Sequence, residues 1–113
     1  MTTSYEPPLV LYHRATNTLA YRGCYDAEAG AYVNTALVDV TLADSAGVPL
    51  AGYAWPVRLV YVPASEGDYT APLSGALLPR RASLVAQIAV DAGGGLTDYQ
   101  ERPVEVRVRG RAP

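Results

Sequence analysis

The sequence has very little of the residues that build metal centres, disulfide frameworks and most catalytic sites. Its 113 residues contain one cysteine, Cys24, one histidine, His13, and no phenylalanine. A single cysteine excludes an internal disulfide framework, and one cysteine with one histidine leaves a zinc site short of ligands. We interpret Cys24 as a small, half-buried hydrophobic residue.

Long apolar runs are also missing. No run approaches the roughly 18 residues of a transmembrane helix, and the start, MTTSYEPPLV, lacks the basic and long apolar regions of a secretory signal. A net charge of −2, with 18% charged and 50% hydrophobic residues, is typical of a folded globular protein. We expect one soluble domain with a single core and no membrane partner.

Motifs that carry catalysis are absent from the sequence as well. A Ser/His/Asp triad would need His13, and there is no GxSxG elbow, P-loop or HExxH. The glycines at 93–95 precede a predicted strand, which is typical of a hairpin loop rather than a phosphate cradle. The loop acids leave two alternatives open, a glycosidase-like carboxylate pair and a calcium site built from Asp91, Asp98, Glu66 and Asp68. We predict no enzyme, no cofactor and no metal site.

The sequence does contain alternation of apolar and polar residues with period two, which is typical of strands with one wet face. The inward-facing sets are Ala36, Val38, Val40 and Leu42; Trp55, Val57, Leu59 and Tyr61; Leu84, Ala86, Ile88 and Val90; and Val104, Val106 and Val108. A further strand begins at Tyr69, and weaker candidates at 9–14 and 18–25 flank turn formers at Thr16 and Asn17. Because Pro56 removes a backbone donor, the strand that contains it is expected at an edge or bulged near its start.

Seven short strands with turn signals every 8 to 12 residues predict a single immunoglobulin-like β-sandwich over residues 9–113, preceded by an extended arm at 1–8. Gly67 and Tyr69 fit the tyrosine corner of such sandwiches, in which the hydroxyl bonds a main-chain group a few residues upstream. Trp55 is the predicted core aromatic of the third main strand. All three residues are predicted to be structural.

The loop charges are predicted to separate in space. If neighbouring strands alternate in direction, the loops alternate between two ends of the domain. One end then collects Asp26, Glu28, Glu66, Asp68, Asp91 and Asp98. The other collects Arg14, Arg80, Arg81, Arg109 and Arg111, with Asp44 as the exception. Such a domain would orient in the field of a charged partner.

The run GAYVNTALVDVTLADSAGVPLAGYAWPVRLVYVPASEGDYTAPL, followed by LVAQIAVDAGGGL, resembles small immunoglobulin-like proteins encoded among the virion structural genes of tailed bacteriophages. The resemblance covers residues 17–108. Its DxxGxPLxG piece also looks like turns in unrelated bacterial immunoglobulin-like and carboxypeptidase-regulatory-like domains. The resemblance implies a non-enzymatic virion part in many symmetric copies, which decorates or cements the head or else sits at the neck or tail.

Under this hypothesis the partners are major capsid or connector and tail subunits and further copies of the chain, assembled in the host cytoplasm. The predicted contact residues are Tyr5, Leu9, Arg80, Arg81, Arg109 and Arg111. Arg107 and Arg109 would lie about 7 Å apart on one strand face, close to a phosphate spacing. The net charge of −2 and the lack of interleaved aromatics favour a solvated or partner-contacting face over nucleic acid.

The alternative function is a carbohydrate- or receptor-binding module. Nine tyrosines suggest it, because tyrosine carries both an apolar face and a hydroxyl. A binder should display several tyrosines on loops at one end of the domain. A cement protein should bury them against its neighbours.

Overall fold

The structure is a computed structural model that describes residues 9–80, 82–93, 95 and 97–108. The strands among them are β1 Leu9–His13, β2 Thr16–Tyr21, β3 Tyr25–Asp26, β4 Ala31–Tyr32, β5 Leu37–Ala43, β6 Val57–Tyr61, β7 Tyr69–Ser74, β8 Ala82–Asp91 and β9 Thr97–Val108. The described residues contain no helix, and therefore none that could cross a membrane. The all-β prediction is confirmed. The predicted arm at 1–8 lies outside the described residues.

Seven of the strands form one mixed sheet in the order β1-β9-β8-β5-β6-β7-β2. Only β1 and β9 pair in parallel, with Leu9 opposite Val104. The two edge strands, β1 and β2, are consecutive in the chain and joined by residues 14–15, so the sheet nearly closes on itself. The remaining strands, β3 and β4, form a small separate hairpin.

The connection between β1 and β2 differs from the prediction. Thr16 and Asn17 were expected to turn, but they begin β2, and the turn lies at residues 14–15. The buried Asn17 side chain accounts for this: its Oδ1 accepts the N–H of Tyr12, and its Nδ2 donates to the carbonyls of Tyr12 and Ala15. Asn17 thus lies in β2, and its side chain stabilises the preceding turn through hydrogen bonds to the main chain.

The core lies on the inner face that the alternation predicts. Val38, Val40 and Leu42 of β5 are buried, and the inner positions of β8 and of β9 up to Val106 meet them. Val108 is an error of the sequence prediction, since it is 39% exposed. The register explains the error: the described β8–β9 ladder begins with Ala82 opposite Val106, and among the described residues Val108 pairs with His13 of β1 alone.

Trp55 is also placed differently from the prediction. It lies before β6, which begins at Val57 after a cis Trp55–Pro56 peptide, and it is only partly buried against the core. Its Nε1 donates to the Leu50 carbonyl at 2.8 Å, and its ring lies 5.1 Å from that of Tyr53. Trp55 therefore covers one end of the core and is not a strand residue.

Tyr69 is buried, but it does not make the bond expected of a tyrosine corner. Its hydroxyl donates to the carbonyl of Val33 at 2.6 Å and accepts the N–H of Ala36 at 3.0 Å. These partners lie more than 30 residues upstream rather than a few. Gly67, at φ +71°, packs on the backbone of Cys24. Both residues are structural, and they join the start of β7 to loops at the same end of the sheet.

Candidate functional site

The strand register places the loops at two ends of the sheet. Leu37, Asp91 and Thr97 are neighbours across β5, β8 and β9, and Tyr21 pairs with Tyr69. The strand ends and connections on this side, which we call the acidic end, carry Asp26, Glu28, Glu66, Asp68, Asp91 and Asp98. Arg22 lies there too, which the sequence analysis missed. At the opposite, basic end lie Arg14, Arg80 and Asp44, so the predicted separation of charge holds for the described residues.

Four of the six carboxylates at the acidic end accept hydrogen bonds from described residues. Asp26 Oδ1 accepts the N–H groups of Glu28 and Ala29, and Asp91 Oδ1 accepts that of Gly93. Asp68 Oδ1 accepts the N–H of Gly23, and Asp98 Oδ2 accepts a hydrogen bond from Gln100 Nε2. Asp68 also pairs with Arg22 at 3.6 Å. Among the described residues no group of three or more His, Cys, Asp or Glu side chains is placed to hold a metal ion. Of the four acids that were considered for calcium, Asp68, Asp91 and Asp98 accept hydrogen bonds from three different partners.

Exposed tyrosines are concentrated at the acidic end. Tyr25 and Tyr32, on the β3–β4 hairpin, are 53% and 46% exposed, and their rings meet edge to face with centroids 5.1 Å apart. Tyr99, near the start of β9, is 58% exposed. The chain has nine tyrosines, but composition alone does not place them in the fold. The signal that could have placed this pair is the spacing of Tyr25 and Tyr32 around the turn at 27–30.

A cavity of about 170 Å³ opens beside this tyrosine pair. It is lined by Tyr21, Cys24, Tyr25, Val33, Val90 and Asp98, among others. The Cys24 side chain is 5% exposed, and burial, followed by the charge of Asp98, raises the pKa of its thiol. Because the thiolate is the reactive form, this cysteine is chemically quiet at neutral pH. The cavity offers an aromatic wall and a carboxylate to a small polar ligand.

A second surface lies on the outer face of the sheet. Leu37 and Val60 are 47% and 67% exposed. Each is the chain neighbour of one member of the Val38–Leu59 pair, where the β5–β6 ladder ends, and Val60 itself pairs with Thr70 of β7. Tyr99 pairs with Ala89 on the same face. We call Leu37, Val60, Ala89 and Tyr99 the outer patch. The alternation rule missed it because apolar residues occupy positions that period two assigns to solvent.

An ion pair adjoins the outer patch. Arg58 donates to both carboxylate oxygens of Asp39, with Nη2 to Oδ2 at 3.1 Å. The two residues pair across β5 and β6, and Asp39 is also opposite Ala89. The hydrogen bonds and the charge of Asp39 raise the pKa of the Arg58 guanidinium. Arg58 and Asp39 thus continue the row of Ala89 and Tyr99 across the sheet, and Asp91 is opposite Leu37, so charged and apolar side chains stand side by side on this face.

Two of the predicted contact residues lie within the described residues. Leu9 begins β1, is partly buried and packs against the chain's own core. Arg80 is exposed at the basic end and precedes β8. The structure does not bring these two together, because Leu9 pairs with Val104 while Arg80 lies beside Val108. The predicted contacts at Tyr5, Arg81, Arg109 and Arg111 lie outside the described residues.

These surfaces are the basis for an assignment of function, since similarity to known proteins offers none. No protein-family model matches the chain, and no curated protein or solved structure matches it at the required significance.

Proposed function

We propose that this chain is a non-enzymatic structural protein of a tailed-bacteriophage virion, with an immunoglobulin-like fold, that binds neighbouring virion subunits. The observation that carries the contact function is the outer patch, where the apolar side chains of Leu37, Val60 and Tyr99 stand exposed. Exposed apolar residues beside polar ones are typical of protein–protein contact sites. The partners in this proposal are major capsid or connector and tail subunits and further copies of the chain.

The strand order supports the immunoglobulin-like part of the proposal. β6 pairs with β5 through Val57–Leu59 and with β7 through Val60 and Tyr61, so it changes partners along its length. A fold of the sheet at β6 gives layers of β1-β9-β8-β5 and β6-β7-β2. In immunoglobulin-like sandwiches of constant type, strands A, B, E and D form one layer and C, F and G form the other. If the seven strands of the large sheet are counted in chain order, β2, β7 and β6 take the places of B, E and D, and β5, β8 and β9 those of C, F and G, while β1 pairs with β9 instead of joining the first layer.

The proposed role within the virion is decoration or cementing of the capsid. A small domain with an acidic end and a basic end adopts a defined orientation on a charged surface. The outer patch then supplies the apolar contact that orientation alone does not. The proposal includes assembly in the host cytoplasm. A position at the neck or tail is the alternative to the head, and the location of a label on purified particles distinguishes the two.

The experiment compares two valine substitutions on particles. Val60→Glu places a charge in the outer patch, whereas Val48→Glu places one at a similarly exposed valine, 57% against 67%, at the basic end. Both variants should fold, because both side chains already face water. We expect particles to retain the Val48 variant at full occupancy and to lose the Val60 variant. Full retention of Val60→Glu would contradict a contact through the outer patch.

The predicted arm gives a second, independent test of virion attachment. Deleting residues 1–8 should leave the melting temperature of the isolated domain almost unchanged and abolish retention on particles. Replacing Arg80, Arg81, Arg109 and Arg111 should make retention weaker and less dependent on salt. Full occupancy by the truncated protein would assign the contact to the sheet face alone.

A carbohydrate- or receptor-binding module remains a second candidate because of the Tyr25–Tyr32 pair. Two exposed rings beside a small cavity with a carboxylate match the way sugars are held, by an apolar face and hydrogen-bond acceptors. Glycan binding by the wild type that is lost in Tyr25→Ala and kept in Val60→Glu would favour this candidate. Absence of binding to a broad glycan set would exclude it for the sugars tested.

A further inference from the structure

Two arginines at the basic end stand out because their side chains have no partner among the described residues. The other described arginines all take part in interactions: Arg22, Arg58, Arg102 and Arg107. The side chains of Arg14 and Arg80 form no ion pair or hydrogen bond with a described residue, and both are exposed. Asp44, the acid at this end, already accepts the N–H groups of Ala46 and Val48. The positive charge here is therefore not neutralised by the described carboxylates.

Both arginines line one pocket of about 320 Å³, together with His13 and Val108. The Nδ1 atom of His13 lies 2.7 Å from the Leu78 carbonyl oxygen. A carbonyl only accepts, so Nδ1 carries the proton and donates it. This leaves Nε2 as the ring nitrogen that can take up a second proton and donate to a ligand. Three nitrogen-bearing side chains from two separate segments thus surround the same space.

The backbone holds Arg14 in a strained conformation. Its φ is +59°, a left-handed region that arginine rarely adopts. The N–H of Arg14 donates to Gly75 at 2.9 Å, and the N–H of Gly75 donates to Ala15 at 2.7 Å. A side chain at Gly75 would collide with the Ala15 carbonyl oxygen, 2.5 Å from an added Cβ. The turn is fixed from several sides, so arginine occupies a position where glycine or asparagine would be easier.

We propose that this pocket binds a phosphate-type oxyanion. The guanidinium groups of Arg14 and Arg80 supply planar pairs of N–H donors that match phosphate oxygens, and His13 Nε2 supplies a third donor when protonated. A tetrahedral anion presents acceptors in several directions, and this suits donors that lie on separate segments, the β1–β2 turn and the segment before β8. Inorganic phosphate and a phosphomonoester share this chemistry.

The test uses His13 as a reporter, since it is the only histidine in the chain. The full-length protein is titrated at constant pH with sodium phosphate, and the imidazole C–H resonances are followed by NMR against a chloride titration of equal ionic strength. We expect a saturable shift with phosphate only. Parallel titration with glycerol 3-phosphate separates the two sources: similar affinity supports a site for phosphate esters, and weaker binding supports one for the free ion.

Variants complete the test. Arg14→Gln and Arg80→Gln should each weaken phosphate binding about tenfold, because each removes a charge-assisted hydrogen bond. Arg107→Gln, which removes an arginine already paired with Glu105 at 2.9 Å, serves as the matched control and should bind as the wild type does. An unshifted His13 resonance, an equal response to chloride, or equal weakening by Arg107→Gln would overturn the site.

Discussion

The hydroxyl of Tyr69 bridges the carbonyl of Val33 and the N–H of Ala36, and so joins the first residue of β7 to the loop that leads into β5. Both partners are main-chain groups, and the ring is 1% exposed. Tyr69→Phe keeps the ring and removes both bonds. We expect the free energy of unfolding to fall by about 1 to 2 kcal/mol, because buried backbone groups lose their partner.

Tyr61→Phe is the control for Tyr69→Phe. The Tyr61 hydroxyl donates to the Ser65 carbonyl at 2.7 Å, four residues away in a partly exposed turn. Water can replace that hydroxyl, so the loss in a denaturant titration should be smaller. Equal losses in the two variants would contradict a special role for the Tyr69 bridge.

Gly67 is predicted to be intolerant of any side chain. Its φ is +71°, and an added Cβ would lie 2.5 Å from the oxygen and 2.7 Å from the nitrogen of Cys24. Gly67→Ala should cost at least about 3 kcal/mol, since backbone strain and a clash with main-chain atoms combine. Gly47→Ala is the control, because φ there is +84° and nothing lies within 4 Å. Gly47→Ala should lower the free energy of unfolding by about 1 kcal/mol. Similar unfolding midpoints for the two variants in urea would contradict the clash at Gly67.

The strands were largely predictable because their alternation is local. Val38, Val40 and Leu42 face inward as soon as period two is recognised, and turn formers delimit the segments. Val108 and Trp55 were misplaced for a different reason. Whether a strand residue is covered depends on where its neighbour in the sheet begins, and whether an aromatic residue lies within a strand depends on where that strand begins. The local pattern fixes neither of these.

The candidate surfaces were predictable only in part. Counting strand directions was enough to separate Asp91 and Asp98 from Arg80, because that argument needs only antiparallel order. The pairing of Tyr25 with Tyr32 and the exposure of Val60 depend on register and on which layers meet. Apolar residues at outward positions of a strand are the remaining sequence signal for the outer patch. Alternation alone assigns those positions to solvent and does not predict a contact surface from them.

Trp55→Ala is expected to destabilise the protein less than a substitution in the core. Trp55 is partly buried and donates one hydrogen bond to Leu50, whereas Leu42 is fully buried in β5. We expect a loss of about 2 kcal/mol for Trp55→Ala and of about 3 to 5 kcal/mol for Leu42→Ala, which opens a cavity. The two unfolding midpoints should therefore be clearly ordered. A larger loss for Trp55→Ala than for Leu42→Ala would support the sequence prediction that Trp55 is the central aromatic of the core.

Stability should fall in alkaline solution because two buried acids keep their protons in the folded state. Burial is the main reason why the pKa of Cys24 rises above its ordinary value of 9.0 and that of Tyr69 above 10.0. The unfolded chain loses these protons near the ordinary values, so above them it binds fewer protons than the folded chain. The free energy of unfolding then decreases as the pH rises. Below about pH 9 neither group contributes a slope.

Denaturant titrations between pH 7 and pH 11 test this dependence. Cys24→Ala should delay the onset of the decline, and Tyr69→Phe should reduce its later part, since each variant removes one of the two protons. Tyr32→Phe, which changes an exposed phenol, is the control and should leave the profile unchanged. A flat profile to pH 11, or one that neither core variant alters, would show that these groups lose their protons equally easily in the folded and the unfolded chain.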